Sequence, residues 1–143
     1  MLNNDFSYFL IPITTVILAQ IIKVAVETLI YKKINLVRLL DGSGGMPSSH
    51  SAFTFSLLTV IGLGEGFNSA IFALTLVFSL LTAYDAMGIR YESGRQANYI
   101  NNMFERLNWD KQFGKLKEQV GHKPIEVLFG IIFGILMGYI LYI

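Results

Sequence analysis

Four stretches of the chain are apolar almost from end to end: Phe6 to Tyr31, Ser48 to Gly64, Asn68 to Met87 and Pro124 to Ile143. As helices, the first, third and fourth are long enough to cross a hydrocarbon layer about 30 Å thick. The second is short for a crossing and is expected to be tilted or buried among the others. Pro12 falls in the early turns of the first stretch, where it predicts a kink. Gly62, Gly64 and Gly66 around Glu65 mark a tight turn. In the last stretch Gly130, Gly134 and Gly138 recur every four residues. That is a smooth strip for close helix packing, either inside the bundle or as the seam of a homodimer.

The pattern changes between residues 92 and 121. Apolar side chains recur at Ile100, Met103, Phe104 and Leu107, then at Phe113, Leu116 and Val120, among Arg, Lys, Asn and Gln. This spacing is helical. With Tyr99 and Trp109 it predicts one or two amphipathic helices, lying in the membrane interface or packed on the bundle as a hairpin. The expected fold is therefore all-α, a single integral membrane helical bundle over residues 1–143 with about four transmembrane helices (about 6–31, 48–64, 68–87 and 124–143) and an amphipathic segment at 92–121.

Composition agrees with this pattern. Hydrophobic residues make up 53% of the chain, too many for an ordinary soluble domain. The net charge of +1 gives no field for nucleic acid. The absence of cysteine excludes disulfides, thiolate metal sites and thiol catalysis. Met1 to Asp5 lack the basic region of a signal peptide, so the first apolar stretch reads as a retained membrane helix. Ten of the eleven Lys/Arg residues fall in the loop after the first stretch or between Arg90 and Lys123; the other is Lys23. By the positive-inside rule that side is cytoplasmic in a multi-pass protein of the cell membrane, with both termini outside.

Chemistry concentrates at this basic side. Gly44-Gly45-Met46-Pro47-Ser48-Ser49-His50-Ser51-Ala52 gathers two glycines, three hydroxyls and one of the two histidines where a loop becomes a helix. Helix-start N–H groups and hydroxyls suit an anion, and a histidine supplies a proton near neutral pH. The plainer reading is a Pro-Ser helix cap. Gln20, Lys23 and Glu27 share one helical face, where Lys23 either neutralises Glu27 or reaches the Ser/His pocket. His122 and Glu126 stand one helical turn apart, so the carboxylate can orient the imidazole, or merely favour the helix dipole. Asp85 and Arg90 are either a terminal ion pair or a phosphate grip, with Arg95 assisting. Asp85 and Glu126 are also the pair that could share a divalent metal, although no dedicated metal spacing is present.

Four motifs together carry a resemblance: Gly44 to Ala52, Tyr84-Asp-Ala-Met-Gly-Ile-Arg90, Gly94-Arg-Gln-Ala97 and Gly121-His-Lys-Pro-Ile-Glu-Val127. The chain resembles the divergent acid phosphatase/vanadium-dependent haloperoxidase-related membrane proteins, a remote branch of the type 2 phosphatidic acid phosphatase superfamily. Pro47-Ser48-Ser49-His50 matches the superfamily's Pro-Ser-Gly-His, which implies Ser48 and the Ser49 amide on phosphate and His50 as general acid. His122-x3-Glu126 matches His-x3-Asp, which implies His122 as nucleophile, oriented by Glu126. The resemblance also implies vanadate as a phosphate mimic. The superfamily's Lys-x6-Arg-Pro is absent, Lys32-x5-Arg38-Leu39 being nearest. Lys115-Leu116 replaces its Ser-Arg, and four spans stand for six. Phosphate-binding cations would come from Lys23, Arg90 or Arg95.

The expected function is a membrane-embedded phosphatase acting on a lipid phosphate or pyrophosphate through a phosphohistidine, with no cofactor. The alternatives are a metal-assisted lipid phosphatase and a non-catalytic lipid-phosphate-binding scaffold.

Overall fold

A computed structural model describes residues 4–32, 44–118 and 120–143. Its longest helix, α1 (Asn4–Tyr31), runs through Pro12 without a break and is about 42 Å long at the usual helical rise. Helix α2 (Ser49–Glu65) follows the Ser/His loop. Ser48 caps it in extended conformation, its hydroxyl accepting from the Ser51 N–H. Gly66, at φ 90°, ends it in a conformation that favours glycine. Helix α3 (Ala70–Met87) starts on a Ser69 cap that accepts from the Phe72 N–H. After Gly88 come α4 (Ile89–Arg106), the short α5 (Asp110–Phe113) and finally α6 (Pro124–Tyr142), with Pro124 at its first position.

Three of the expected spans are long and apolar enough to cross a membrane: Phe6–Ile30, the stretch that begins at Ala70, and Pro124–Tyr142. At 17 residues α2 falls short of that length. It is the centre of the bundle instead, with α1, α3 and α6 packed around it. It still runs from one end of the bundle to the other. Ser48 donates its N–H to the Glu126 carbonyl at the start of α6, 3.0 Å away. At the far end the Tyr8 hydroxyl near the start of α1 donates to Glu65, 2.8 Å away. The start of α1 and the end of α6 thus lie at one end of the bundle and the Ser/His loop at the other.

The core combines a small apolar cluster, Phe55, Leu58, Ala83, Ala86 and Val127, with a close backbone contact. A Cβ on Gly130, Gly134 or Gly138 would stand 2.5, 2.5 and 2.8 Å from the carbonyl oxygens of Ser48, Ala52 and Ser56. Glycine every fourth residue on α6 thus fits a strip of Ser, Ala and Ser at the same spacing on α2. Van der Waals contact between backbones replaces large side chains as the adhesive. Of the two uses open to this strip, packing inside the bundle is the one these contacts show, with α2 of the same chain covering the glycines. Large apolar residues such as Ile17, Ile21, Leu74, Val77, Leu136 and Ile140 point outward, as lipid-facing positions do.

The segment at 92–121 also differs from its pattern. Helix α4 covers the first part and α5 is a single turn. Gly114, at φ 71°, then turns the chain. From there to His122 the described residues are not helical, although Phe113, Leu116 and Val120 keep helical spacing. Tertiary hydrogen bonds override the local pattern. The Leu116 N–H donates to Asn101 Oδ1 at 2.8 Å, and Asn101 Nδ2 donates back to the Leu116 carbonyl at 2.9 Å.

Candidate active site

The site is built where α3 gives way to α4. Gly88, at φ −96° and ψ −96°, leaves the helical basin and interrupts the hydrogen-bond ladder. The Ala86 carbonyl accepts the His122 N–H instead, at 3.0 Å. Just before it, Gly121 is pressed on the start of α4. A Cβ there would stand 2.2 Å from the Tyr91 nitrogen, so only glycine allows the approach. These two contacts fix the main chain of His122 against the end of α3.

The His122 ring is almost entirely buried, at 2% exposure. Its Nδ1 lies 3.2 Å from Glu126 Oε2. The same carboxylate oxygen accepts the Lys123 N–H at 3.1 Å, which ties it to the first turn of α6. An ionised carboxylate on Nδ1 selects the tautomer that carries its proton there and leaves a lone pair on Nε2. Nε2 is buried and has no hydrogen-bond partner among the described residues. A buried polar atom left in this way is unfavourable unless a ligand meets it.

Around this ring the structure gathers most of the expected residues. Ser48 is fully buried and bonded to the main chain of Glu126, and its hydroxyl accepts from Ser51 Oγ at 3.1 Å. Ser49 Oγ donates to Gln20 Oε1 at 2.8 Å, which joins α2 to α1. Lys23, less than one turn further along α1, is fully buried. A Cβ on Gly45 would stand 3.2 Å from its stem and 2.8 Å from Glu27 Oε1, so the Gly44-Gly45 turn lies directly on this face of α1. His50 is exposed, and Arg90, Lys23 and Asp85 act on it electrostatically beside the His122 ring. Arg90 Nε donates to Asp85 Oδ2 at 2.6 Å, both side chains being partly exposed. Five helices, α1, α2, α3, α4 and α6, therefore converge on one end of the bundle.

Arg95 stands apart. It is exposed and bound to Glu92 at 2.9 Å. It lines a cleft of about 700 Å³ that also touches Glu27, Lys123 and Glu126, so it meets the group from the Glu126 side. Asp85 and Glu126, the pair that could share a divalent metal, bond to Arg90 and to His122 and Lys123 respectively. Among the described residues no group of three or more His, Asp or Glu is placed to hold a metal ion. Arg38 and Leu39 of the nearest basic motif lie outside the described residues.

Asn101, Glu118 and Gly121 were not legible as site residues. Asn101 is buried on α4 in line with Gly94 and Ala97. The signal was small or polar residues three and four apart on one face of an otherwise exposed helix, which marks a face that another backbone covers.

The profile of a family described as "Divergent PAP2 family" matches residues 4–137. The "Uncharacterized membrane protein YuiD" of Bacillus subtilis (strain 168) is 39% identical over 142 residues, covering 90% of this chain and 89% of that protein. No solved structure is significantly similar.

Proposed function

This chain belongs to the Divergent PAP2 family of membrane proteins, and on that footing we propose that it is a phosphatase that hydrolyses a phosphate monoester or pyrophosphate of a lipid. The observation that carries the reading is the buried His122 ring, with Nδ1 held by Glu126 and Nε2 left open. In the proposed reaction the Nε2 lone pair attacks phosphorus. The bond from phosphorus to the leaving oxygen breaks, and His50 donates a proton to that oxygen. His50, now a base, takes a proton from water as the water oxygen attacks the phosphohistidine, and Nε2 leaves with its electron pair. Glu126 keeps the Nδ1 proton in place and balances the charge that the ring acquires. Ser48, the Ser49 amide, Lys23 and Arg90 face the charge developing on the phosphoryl oxygens.

Ten of the eleven basic residues fall in the sequence between α1 and α2 or between Arg90 and Lys123, which supports a cytoplasmic site with both termini outside. Membrane lipids and a phosphorylated lipid substrate are the proposed partners. The reaction as written needs no metal.

The test is phosphate release from a panel of lipid phosphates by the purified protein, with and without chelator and vanadate. His50→Ala is expected to lower turnover by about 10²–10⁴-fold, the usual contribution of a positioned acid. His122→Ala is expected to abolish trapping of radiolabelled phosphate on the protein. Vanadate is expected to inhibit. Release that survives both substitutions removes this mechanism. Lipid-phosphate binding without release from any substrate favours the scaffold, and chelator-sensitive release favours the metal-assisted variant.

A further inference from the structure

We infer that Asn101 is a positioning residue for His122, acting through the strap of chain that returns along α4. Asn101 is 21 residues from His122 in sequence, and its side chain is 5% exposed. Its carboxamide does what a neighbouring β-strand would do. It accepts the Leu116 N–H at 2.8 Å and donates to the Leu116 carbonyl at 2.9 Å. Nδ2 also donates to Glu118 Oε1 at 2.8 Å. Asn98, on the adjoining turn, donates to the other Glu118 oxygen at 2.8 Å.

The next contacts extend this hold towards the site. A Cβ on Gly94 would stand 2.2 Å from the Glu118 carbonyl oxygen, so the strap lies on the bare backbone of α4. Three residues later Gly121 lies on Tyr91 and Arg90 in the same way. His122 then donates its N–H to Ala86. The strap thus descends α4 from Asn101 to Gly94 to Tyr91 and delivers His122 to the break after α3. Among the described residues, the helices packed on α4 are α3 and α5. The strap is therefore the covalent route by which the hydrogen bonds of α4 at Asn101 bear on the imidazole. The hydrogen bonds at Asn101 are satisfied in both directions, and removing the amide leaves the Leu116 N–H and carbonyl without those partners.

The effect on turnover rests on the phosphatase reading, whereas the effect on the ring does not. His50 and His122 are the only histidines in the chain, so protein labelled with ¹⁵N-histidine gives two ring spin systems. His50→Gln assigns them. In Asn101→Leu, which keeps the volume and removes the hydrogen bonds, the His122 ring nitrogens are expected to move from single-tautomer values towards averaged ones while those of His50 stay in place. Turnover is expected to fall by about ten- to a hundred-fold with KM nearly unchanged, as for displacement of a reacting group by about 1 Å. Asn98→Ala, an exposed change that removes one of the bonds to Glu118, is expected to shift the same ring in the same direction by a smaller amount.

Unchanged His122 signals in both variants overturn the inference. So do equal shifts of His50 and His122, which would mark a general loss of structure. A His122-specific shift in a protein that releases no phosphate from any substrate leaves the positioning role standing and removes the phosphatase reading.

Discussion

At His122 the two ring nitrogens have different fates, and the difference is the basis of the chemistry. Nδ1 is held by a carboxylate that is itself held by the helix start, while Nε2 is buried with no hydrogen-bond partner among the described residues. Glu126→Gln keeps a side chain of the same shape but removes the charge that stabilises a positive ring. Its kcat is expected to fall by about ten- to a hundred-fold with the fold intact, measured by steady-state kinetics beside circular dichroism. Lys23 is the cation that no surface argument explains, being fully buried beside the Gly44-Gly45 turn and within the field that acts on His50. If it binds phosphate, Lys23→Met loses vanadate inhibition and Lys23→Arg retains part of it. Equal inhibition constants in all three proteins would assign Lys23 to the bundle alone.

At the scale of elements, two backbone contacts organise the molecule. On the α2–α6 seam, glycines at four-residue spacing meet Ser48, Ala52 and Ser56. Gly134→Val places carbon where the Ala52 carbonyl already is. It is expected to destabilise the protein by about 3 kcal/mol, towards the upper end for overpacking, as read from thermal unfolding in detergent. On the strap, the amides of Asn101 and Asn98 hold the Glu118 carboxyl below the ordinary carboxylate range. A carboxyl with a depressed pKa stabilises above its unfolded pKa and loses that contribution as pH falls through its folded one. The strap is therefore expected to loosen on acidification below the ordinary carboxylate range. Hydrogen exchange at the Leu116 amide, corrected for its intrinsic pH dependence, reads this directly.

At the scale of the whole molecule, the bundle has two unlike ends. Tyr8 and Glu65 meet at the end that also carries the end of α6, while Ser48, Ala86 and His122 lie at the other. The chain has no cysteine, so single cysteines report on sidedness without background. A cysteine at Lys117 and one at Gly66 are expected to react with a membrane-impermeant maleimide from opposite sides of sealed vesicles. The reading of the basic end as cytoplasmic requires Lys117→Cys to be protected in right-side-out vesicles. Labelling of both positions from one side would contradict the four-pass path of the chain.

The apolar stretches, the short second one and the Ser/His loop were legible in the sequence because each is a local property: length against membrane thickness, or hydroxyls beside a histidine at a helix start. His122 and Glu126 were legible as a pair for the same reason, since four residues make one helical turn. The use of the Gly130, Gly134 and Gly138 strip was not, because a smooth face fits α2 and a second copy equally well until the partner is in place. Nor was the end of helical structure at Gly114, where a helical pattern yields to hydrogen bonds from Asn101 across fifteen residues. Only the tertiary structure set Arg95 apart from the other cations and brought His50, His122, Lys23 and Arg90 within one field. Those relations join separate elements, and no spacing along one of them encodes the distance to another.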